Sequence, residues 1–176
     1  MAKTFDELWR EIQNRHVITV QDRLELEYVF KLIHGCESYL EVGTAEGNSL
    51  YVLSHTLAPG AKIVSVDYGE AHTKEAREWV FNQVPVTAIH GNSHDHKVIE
   101  QARGKYDVVF IDAGHSFPDV VADAIAYGGM ASRYIIFHDV QIHDVMQAFE
   151  WYVAQNKFDG YCFVNSTSFG YGIVKL

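Results

Sequence analysis

Short apolar segments rich in Val and Ile alternate with amphipathic segments along most of the chain. The apolar segments are nearly continuous, which is typical of parallel strands covered on both faces. Five strands are predicted, at Tyr39–Val42, Lys62–Asp67, Val86–His90, Tyr106–Asp112 and Tyr134–His138. Five helices are predicted from apolar residues at helical spacing, at Ser49–Leu57, His72–Gln83, Asp95–Arg103, Phe117–Tyr127 and Asp144–Asn156. The pattern predicts an α/β protein with a Rossmann-like, doubly wound and mostly parallel sheet.

Both ends of the chain depart from this alternation. Two amphipathic helices, at about Thr4–Arg15 and Gln21–His34, precede the first strand, so residues 1–35 are expected to form a helical cap over the sheet or the ligand mouth. Near the other end, Gly160–Asn165 and Gly170–Lys175 are strand-like and are joined by the polar turn Ser166–Ser168. We expect an antiparallel C-terminal hairpin at one sheet edge, and a single domain, 1–176, with its core in 38–176.

Composition excludes several classes of protein. The hydrophobic content of 48% suffices for a core, and the chain shows neither a secretory signal nor an apolar run of the roughly 18 residues that a membrane span needs. A cytoplasmic protein without a membrane partner is therefore expected. With 14 Lys and Arg against 23 Asp and Glu, the net charge of -9 makes nucleic acid a poor partner. The oligomeric state stays open, with a homo-oligomer among the alternatives.

A glycine-containing loop joins the first predicted strand to the next helix. Glycine permits a positive φ or a close backbone approach, and the N–H groups of the new helix face the same crevice. A NAD-binding G-x-G-x-x-G loop would require glycine at Ala45 and Asn48, and neither is present. Glu41 and Glu46 would repel a pyrophosphate, whereas Glu41 suits a cationic ligand. The loop therefore predicts a nucleotide cradle of another kind.

Polar residues follow the second and third predicted strands. Asp67 lies about 20 residues beyond the glycine loop, where a carboxylate can accept both hydroxyls of a ribose, although it could instead cap the following helix. Tyr68 could pack on a purine. Asn92, followed by Ser93, offers an amide that matches an adenine edge, but this segment is also ordinary turn chemistry.

Together these residues resemble the class I S-adenosylmethionine-dependent methyltransferases. The segment Glu41–Gly47 looks like that family's acidic-x-Gly-x-Gly-x-Gly loop, with Ala45 in place of the middle glycine, and Asp67 and Asn92 match the following strands. The resemblance covers about Ser38 to Leu176 and implies S-adenosylmethionine as cofactor. It implies cofactor contacts from Glu41, Gly43, Thr44, Ala45, Gly47, Asp67, Tyr68, Asn92, Ser93 and Asp112.

A second group of residues follows the fourth and fifth predicted strands. Asp112, His115, His138 and Asp139 could converge on one crevice, and the group resembles the site of metal-dependent small-molecule O-methyltransferases. The resemblance implies a divalent ion, Mg or Mn, held by Asp112, His138 and Asp139, and a small hydroxylated acceptor. His138 departs from the family's oxygen-only ligand set, and imidazole suits Mn, Fe or Zn better than Mg.

Several roles remain open at this second group. His115 is the candidate general base, acting with Asp112 as a catalytic pair, and His143 is a further candidate for the base. A site without metal, in which His115 or His138 is the base, and a methyltransferase-fold binding protein without turnover are the alternatives. Phe169 and Tyr171 are candidates for an acceptor pocket. The remaining histidines, His94 among them, are expected to be solvated surface groups.

Overall fold

One mixed sheet runs through the computed structural model of the chain, which describes residues 3–14, 21–69, 73–158, 160–164 and 169–176. The described residues form the strands β1 (Ser38–Val42), β2 (Lys62–Asp67), β3 (Val86–His90), β4 (Tyr106–Ile111), β5 (Ala131–His138), β6 (Tyr161–Val164) and β7 (Tyr171–Lys175). They also form the helices α1 (Phe5–Asn14), α2 (Arg23–Leu32), α3 (Asn48–Ser54), α4 (Lys74–Gln83), α5 (His96–Ala102), α6 (Phe117–Tyr127) and α7 (His143–Asn156).

The strand order is β3-β2-β1-β4-β5-β7-β6. The five strands from β1 to β5 are parallel, whereas β7 is antiparallel to β5 and β6 is antiparallel to β7. The predicted doubly wound sheet and its C-terminal hairpin are therefore confirmed. Chain progression reverses between β1 and β4, and ligands of open α/β sheets bind outside the strand ends at such a switch point.

Alternating side chains along the strands build a separate apolar core on each face of the sheet. In β1, Leu40 and Val42 point to the face covered by α5, α6 and α7, whereas Tyr39 points to the face covered by α1 to α4. The first two helices bury Phe5 and Leu26 in this second core. They therefore pack in the core on this face of the sheet, and Glu25 of α2 also accepts the backbone N–H of Gly170 at 2.9 Å.

Most element bounds agree with the prediction to within two residues, and two differ by more. Strand β5 begins at Ala131, three residues earlier than expected, because the short helical turn Gly128–Met130 leads directly into pairing with β4. Helix α3 ends at Ser54 rather than Leu57, and a turn follows in which Leu57 N–H donates to the Ser54 carbonyl. The predicted helix ends Arg15 and His72, and the hairpin turn, lie outside the described residues. No described helix is long and apolar enough to cross a bilayer.

Candidate functional site

A cavity of about 750 Å³ opens at the carboxyl ends of the parallel strands, a size typical of small-molecule sites. It extends from the glycine loop and the ends of β2 and β3 to the ends of β4 and β5. The predicted site residues in its lining are Gly43, Ala45, Asp67, Tyr68, Asn92, Ser93, Asp112, His115, His138 and Asp139. Most of the two predicted groups therefore share one cavity.

Gly43 allows the ends of β1 and β4 to approach closely. Its φ is +87°, and a Cβ at this position would lie 2.2 Å from the backbone oxygen of Asp112. On either side of this contact, Gly43 N–H donates to the Val66 carbonyl and Asp112 N–H donates to the Val42 carbonyl, both at 2.8 Å. Glycine is therefore required here both by the backbone conformation and by the space.

The carboxylate of Asp67 organises the glycine loop. Its Oδ2 accepts the N–H groups of Thr44 and Ala45, both at 2.8 Å, and its Oδ1 accepts the N–H of Gly69 at 2.6 Å. The guanidinium of Arg77 lies 3.2 Å from Oδ1 and also donates to the Ala45 carbonyl at 3.0 Å. Four donors thus surround a carboxylate that has about four acceptor sites. A ribose hydroxyl would have to share or replace one of these hydrogen bonds.

Ala45 adopts a conformation that glycine adopts more readily. Its φ is +45°, in the left-handed region, where an L-residue with a Cβ costs about 1–2 kcal/mol. The hydrogen bond from Ala45 N–H to Asp67 and the contact of Arg77 with the Ala45 carbonyl hold this conformation. Ala45, which stands where the resembled family has its middle glycine, therefore keeps a backbone conformation typical of glycine.

The side chain of Glu41, which was predicted to contact a cationic ligand, does not line the cavity. It is fully buried, and it accepts hydrogen bonds from the Tyr39 hydroxyl and, at 3.1 Å, from the Ser49 hydroxyl. Burial raises the pKa of Glu41 to about 8. Thr44 and Gly47 also lie outside the lining, and the Thr44 hydroxyl is paired with that of Ser65 at 2.6 Å. The side chains of Glu41 and Thr44 are therefore hydrogen-bonded within the protein and not at the cavity wall.

Asn92 and Ser93 reach the cavity in a turn that uses part of their hydrogen-bonding capacity. The Asn92 Oδ1 accepts the backbone N–H of His94 at 2.9 Å, and the Tyr127 hydroxyl donates to the Ser93 carbonyl at 2.8 Å. The turn chemistry that was the alternative for Asn92 is therefore present. Its Nδ2 group remains as the donor that a purine could use.

The second predicted group forms a compact charged cluster. His138 Nδ1 lies 3.0 Å from Asp112 Oδ1 and 3.4 Å from Asp139 Oδ1, and His115 Nε2 lies 2.8 Å from Asp139 Oδ2. Ligand atoms of Asp112, His138 and Asp139 all lie within 4.8 Å of one another. Asp139 has a φ of +58°, a left-handed conformation of the kind that concentrates at functional sites.

Opposite charges within the cluster shift its pKa values. The carboxylates of Asp112 and Asp139 raise the pKa of His115 to about 10. Burial lowers the pKa of His138, but Asp112 outweighs burial and leaves that pKa raised. Burial raises the pKa of Asp112, yet the two imidazoles outweigh it, and the net shift is downward. In this arrangement His115 is protonated at neutral pH and is a poor general base.

The other candidate residues near the second group differ in whether they line the cavity. Phe169 lines the cavity and stacks on His138, with ring centroids 5.7 Å apart, whereas Tyr171 is fully buried behind His138. His143 begins α7, is exposed and does not line the cavity. This end of the cavity is therefore bounded by Phe169 and by Ile142, which also lines the cavity.

Sequence reasoning missed a pair of residues, His94 and Asp123, at the opposite end of the cavity from the charged cluster. His94, expected to be a surface group, lines the cavity, and its Nε2 lies 3.3 Å from Oδ1 of the buried Asp123. The signal for Asp123 was its place on the buried face of α6, between Val120 and Tyr127 at helical spacing. A carboxylate within an apolar helix face is unusual enough to mark a functional candidate.

The chain matches the family model described as a methyltransferase domain over residues 40–140, more than half of its length. An O-methyltransferase from Bacillus cereus in complex with SAH is 14% identical, with a TM-score of 0.74 over 98% of this chain and 90% of that one. The O-methyltransferase TomG from Streptomyces achromogenes, in complex with SAM, is 13% identical, with a TM-score of 0.74 over 100% and 92%.

A candidate caffeoyl-CoA O-methyltransferase from Staphylococcus aureus is 20% identical, with a TM-score of 0.75 over 99% of this chain and 93% of that one. No protein with a curated description matches the chain in sequence. At these identities the structural likeness concerns the fold, and the family follows from the sequence match. The chain belongs to the methyltransferase domain family and has the class I methyltransferase fold that its glycine loop and strand ends resemble.

Proposed function

We propose that the protein transfers the methyl group of S-adenosylmethionine to a hydroxyl group of a small molecule, with a divalent cation held by Asp112, His138 and Asp139. The observation that carries the proposal is a continuous cavity between the glycine loop and this cluster. The similar structures that contain SAH and SAM support the choice of cofactor. The acidic net charge favours a small acceptor over nucleic acid.

The residues of the cluster fit a divalent cation in both geometry and chemistry. The ends of two neighbouring strands, β4 and β5, bring two carboxylates and one imidazole within 4.8 Å, and Nδ1 of His138 faces the carboxylate oxygens of Asp112 and Asp139. A set of two oxygen ligands and one nitrogen ligand favours Mn, Fe or Zn over Mg. The present ion pairs show the competition that a cation would meet, because His115 contacts Asp139 at 2.8 Å.

When bound, S-adenosylmethionine supplies an electrophilic methyl group, and a divalent cation lowers the pKa of an acceptor hydroxyl. The chain's own residues align the two reactants. Gly43 and the loop held by Asp67 shape the cofactor end, while Phe169 and Ile142 bound the acceptor end.

A mechanism without metal is the second candidate, favoured by one observation. His115 and His138 already neutralise Asp112 and Asp139 in the cluster, so the fold holds it without another cation. In that form, His115 becomes a base only if its ion pairs with the carboxylates break, because these pairs raise its pKa to about 10.

Calorimetric titration with S-adenosylhomocysteine tests the cofactor first, and a folded protein that does not bind it would refute the proposal. Transfer of labelled methyl groups to a panel of catechols and other small hydroxylated compounds tests the reaction. The assay compares Mn²⁺, Mg²⁺ and a chelator. Asp112→Ala and His138→Ala should abolish transfer, while His143→Ala, an exposed histidine outside the cavity, is the matched control. Full activity in the chelator would leave the metal-free mechanism.

A further inference from the structure

Glu25 is a buried carboxylate that the proposed reaction does not use. It lies on α2, is fully buried, and accepts the backbone N–H of Gly170 at 2.9 Å. A carboxylate in an apolar core costs free energy unless hydrogen bonds compensate it. Gly170 directly follows Phe169, which lines the cavity. The contact of Glu25 with this segment therefore points to a role at the cavity.

Gln21, just before α2, makes a second contact with the same segment. The Tyr171 hydroxyl donates to Oε1 of Gln21, and both residues are buried. The Tyr171 ring packs against that of His138, with ring centroids 4.9 Å apart. The beginning of α2 therefore holds two successive residues, Gly170 and Tyr171, where β7 starts.

The segment that α2 holds pairs with the backbone that follows β5. Val140 N–H donates to the Gly170 carbonyl at 3.3 Å, and Gln141 N–H donates to the Phe169 carbonyl at 3.0 Å. The φ of Gly170 is +75°, and a Cβ there would lie 3.0 Å from Cγ2 of Val140, so glycine permits this close approach. Asp139 immediately precedes Val140. A displacement of Gly170 would therefore move both Phe169 and the segment that carries Asp139.

We propose that Glu25 is a positioning residue for the acceptor end of the cavity. Its hydrogen bond with Gly170 fixes Phe169 as a wall, and the backbone pairing of that segment holds Asp139 in place for a cation. This inference rests on the proposed methyl transfer. Glu25 does not line the cavity, so it acts through the backbone and touches neither substrate nor metal. The cofactor end is held by other contacts, those of Asp67 with the glycine loop, so cofactor binding should not depend on Glu25.

The test compares Glu25→Ala, which removes the carboxylate, with Glu25→Gln, whose side-chain oxygen can still accept the Gly170 N–H. Glu25→Ala should raise the calorimetric Kd for Mn²⁺ about tenfold, as expected for the loss of one hydrogen bond that holds a ligand. The KM of the panel compound that the wild type methylates fastest should rise by a similar factor. At saturating Mn²⁺ and acceptor, kcat should change less than KM, and the Kd for S-adenosylhomocysteine should equal that of the wild type. Glu25→Gln should restore most of the Mn²⁺ affinity and of the KM.

Amide hydrogen exchange followed by NMR tests the positioning without any ligand. In Glu25→Ala, the N–H groups of Gly170, Val140 and Gln141 should exchange faster than in the wild type, because the contact that holds their segments is lost. The N–H of Gly43, which donates to the Val66 carbonyl between β1 and β2, should exchange at the wild-type rate.

Glu27→Ala is the matched control, because Glu27 lies on the same helix and forms partly exposed ion pairs with Arg23 and Lys31, at 3.5 and 2.7 Å, of a kind that contributes little. All its values should equal those of the wild type. An unchanged Mn²⁺ Kd and KM in Glu25→Ala, or a Kd for S-adenosylhomocysteine that rises as much as the KM, overturns the inference, while methylation by the wild type still supports the proposed function. If the folded wild type methylates no compound, the proposed function fails, and amide exchange alone decides the role of Glu25. If Glu25→Ala does not fold by circular dichroism, Glu25→Asp, which withdraws the carboxylate by one methylene, takes its place.

Discussion

Replacing Gly43 by Ala should be among the most damaging single-methyl changes in the protein. The new Cβ would lie 2.2 Å from the backbone oxygen of Asp112 and 2.5 Å from Cα of Ala113, so neither strand end can relieve the overlap by rotating a side chain. The positive φ adds about 1–2 kcal/mol for an L-residue, and overpacking adds about 1–3 kcal/mol. We expect the free energy of unfolding to fall by about 2–5 kcal/mol.

Gly60→Ala is the control that separates the two causes. Gly60 has a φ of +79°, close to the +87° of Gly43, but a Cβ at Gly60 meets nothing within 4 Å. This variant should therefore lose only the conformational part, partly offset by the stiffer unfolded chain. Urea denaturation of both variants gives the difference in unfolding free energy, which we assign to the close approach of β1 and β4. Equal losses in Gly43→Ala and Gly60→Ala would refute this assignment.

Three further predictions concern the cavity and the buried acid behind it. In Glu41→Gln, the free energy of unfolding should depend less on pH than in the wild type. The folded pKa of Glu41, about 8, exceeds the ordinary value of 4.5, so the folded wild-type protein binds this proton more tightly than the unfolded chain does. Wild-type stability therefore falls as the pH rises from about 4.5 through 8. Across this pH range, the unfolding free energy of the wild type should fall by about 4 kcal/mol relative to that of Glu41→Gln, as measured by urea denaturation. Parallel plots of unfolding free energy against pH for the two proteins would contradict this prediction. Asp67→Asn should lower both unfolding free energy and adenosylhomocysteine affinity, the former by about 3 kcal/mol, because it leaves the buried Arg77 without its carboxylate; an unchanged denaturation midpoint would argue against the loop-organising role. His138→Asp should shift metal preference from Mn²⁺ toward Mg²⁺ in calorimetric titrations with each ion, because the donor set becomes all oxygen, and an unchanged preference would count against His138 as a ligand.

The sequence was sufficient to predict which site residues lie close together where their positions depend only on the ends of neighbouring strands. Asp112 follows β4 and His138 ends β5, and the carboxyl ends of neighbouring parallel strands meet at one edge, so their convergence could be predicted without knowledge of loops. The hairpin could be predicted for a similar reason, because no helix fits between its two strands. These inferences depend on chain direction and length, both of which a single sequence contains.

The positions of the Glu41 and His94 side chains relative to the cavity were not predicted from the sequence. Glu41 shares a strand face with Tyr39, opposite to Leu40 and Val42, and the period of two directs it toward the helices below the loop. His94, in contrast, reaches the cavity through a turn closed by Asn92 and a contact with Asp123 about 30 residues later, and local pattern does not encode such a pairing.

The four donors around Asp67 have a thermodynamic consequence for any nucleoside bound at this end. Since the loop already satisfies the carboxylate, a ribose hydroxyl exchanges one hydrogen bond for another instead of adding one, and little net enthalpy comes from the exchange. The affinity must then come mainly from apolar contact with the purine and the cavity wall. Such binding has a clear signature, which is a distinctly negative heat-capacity change.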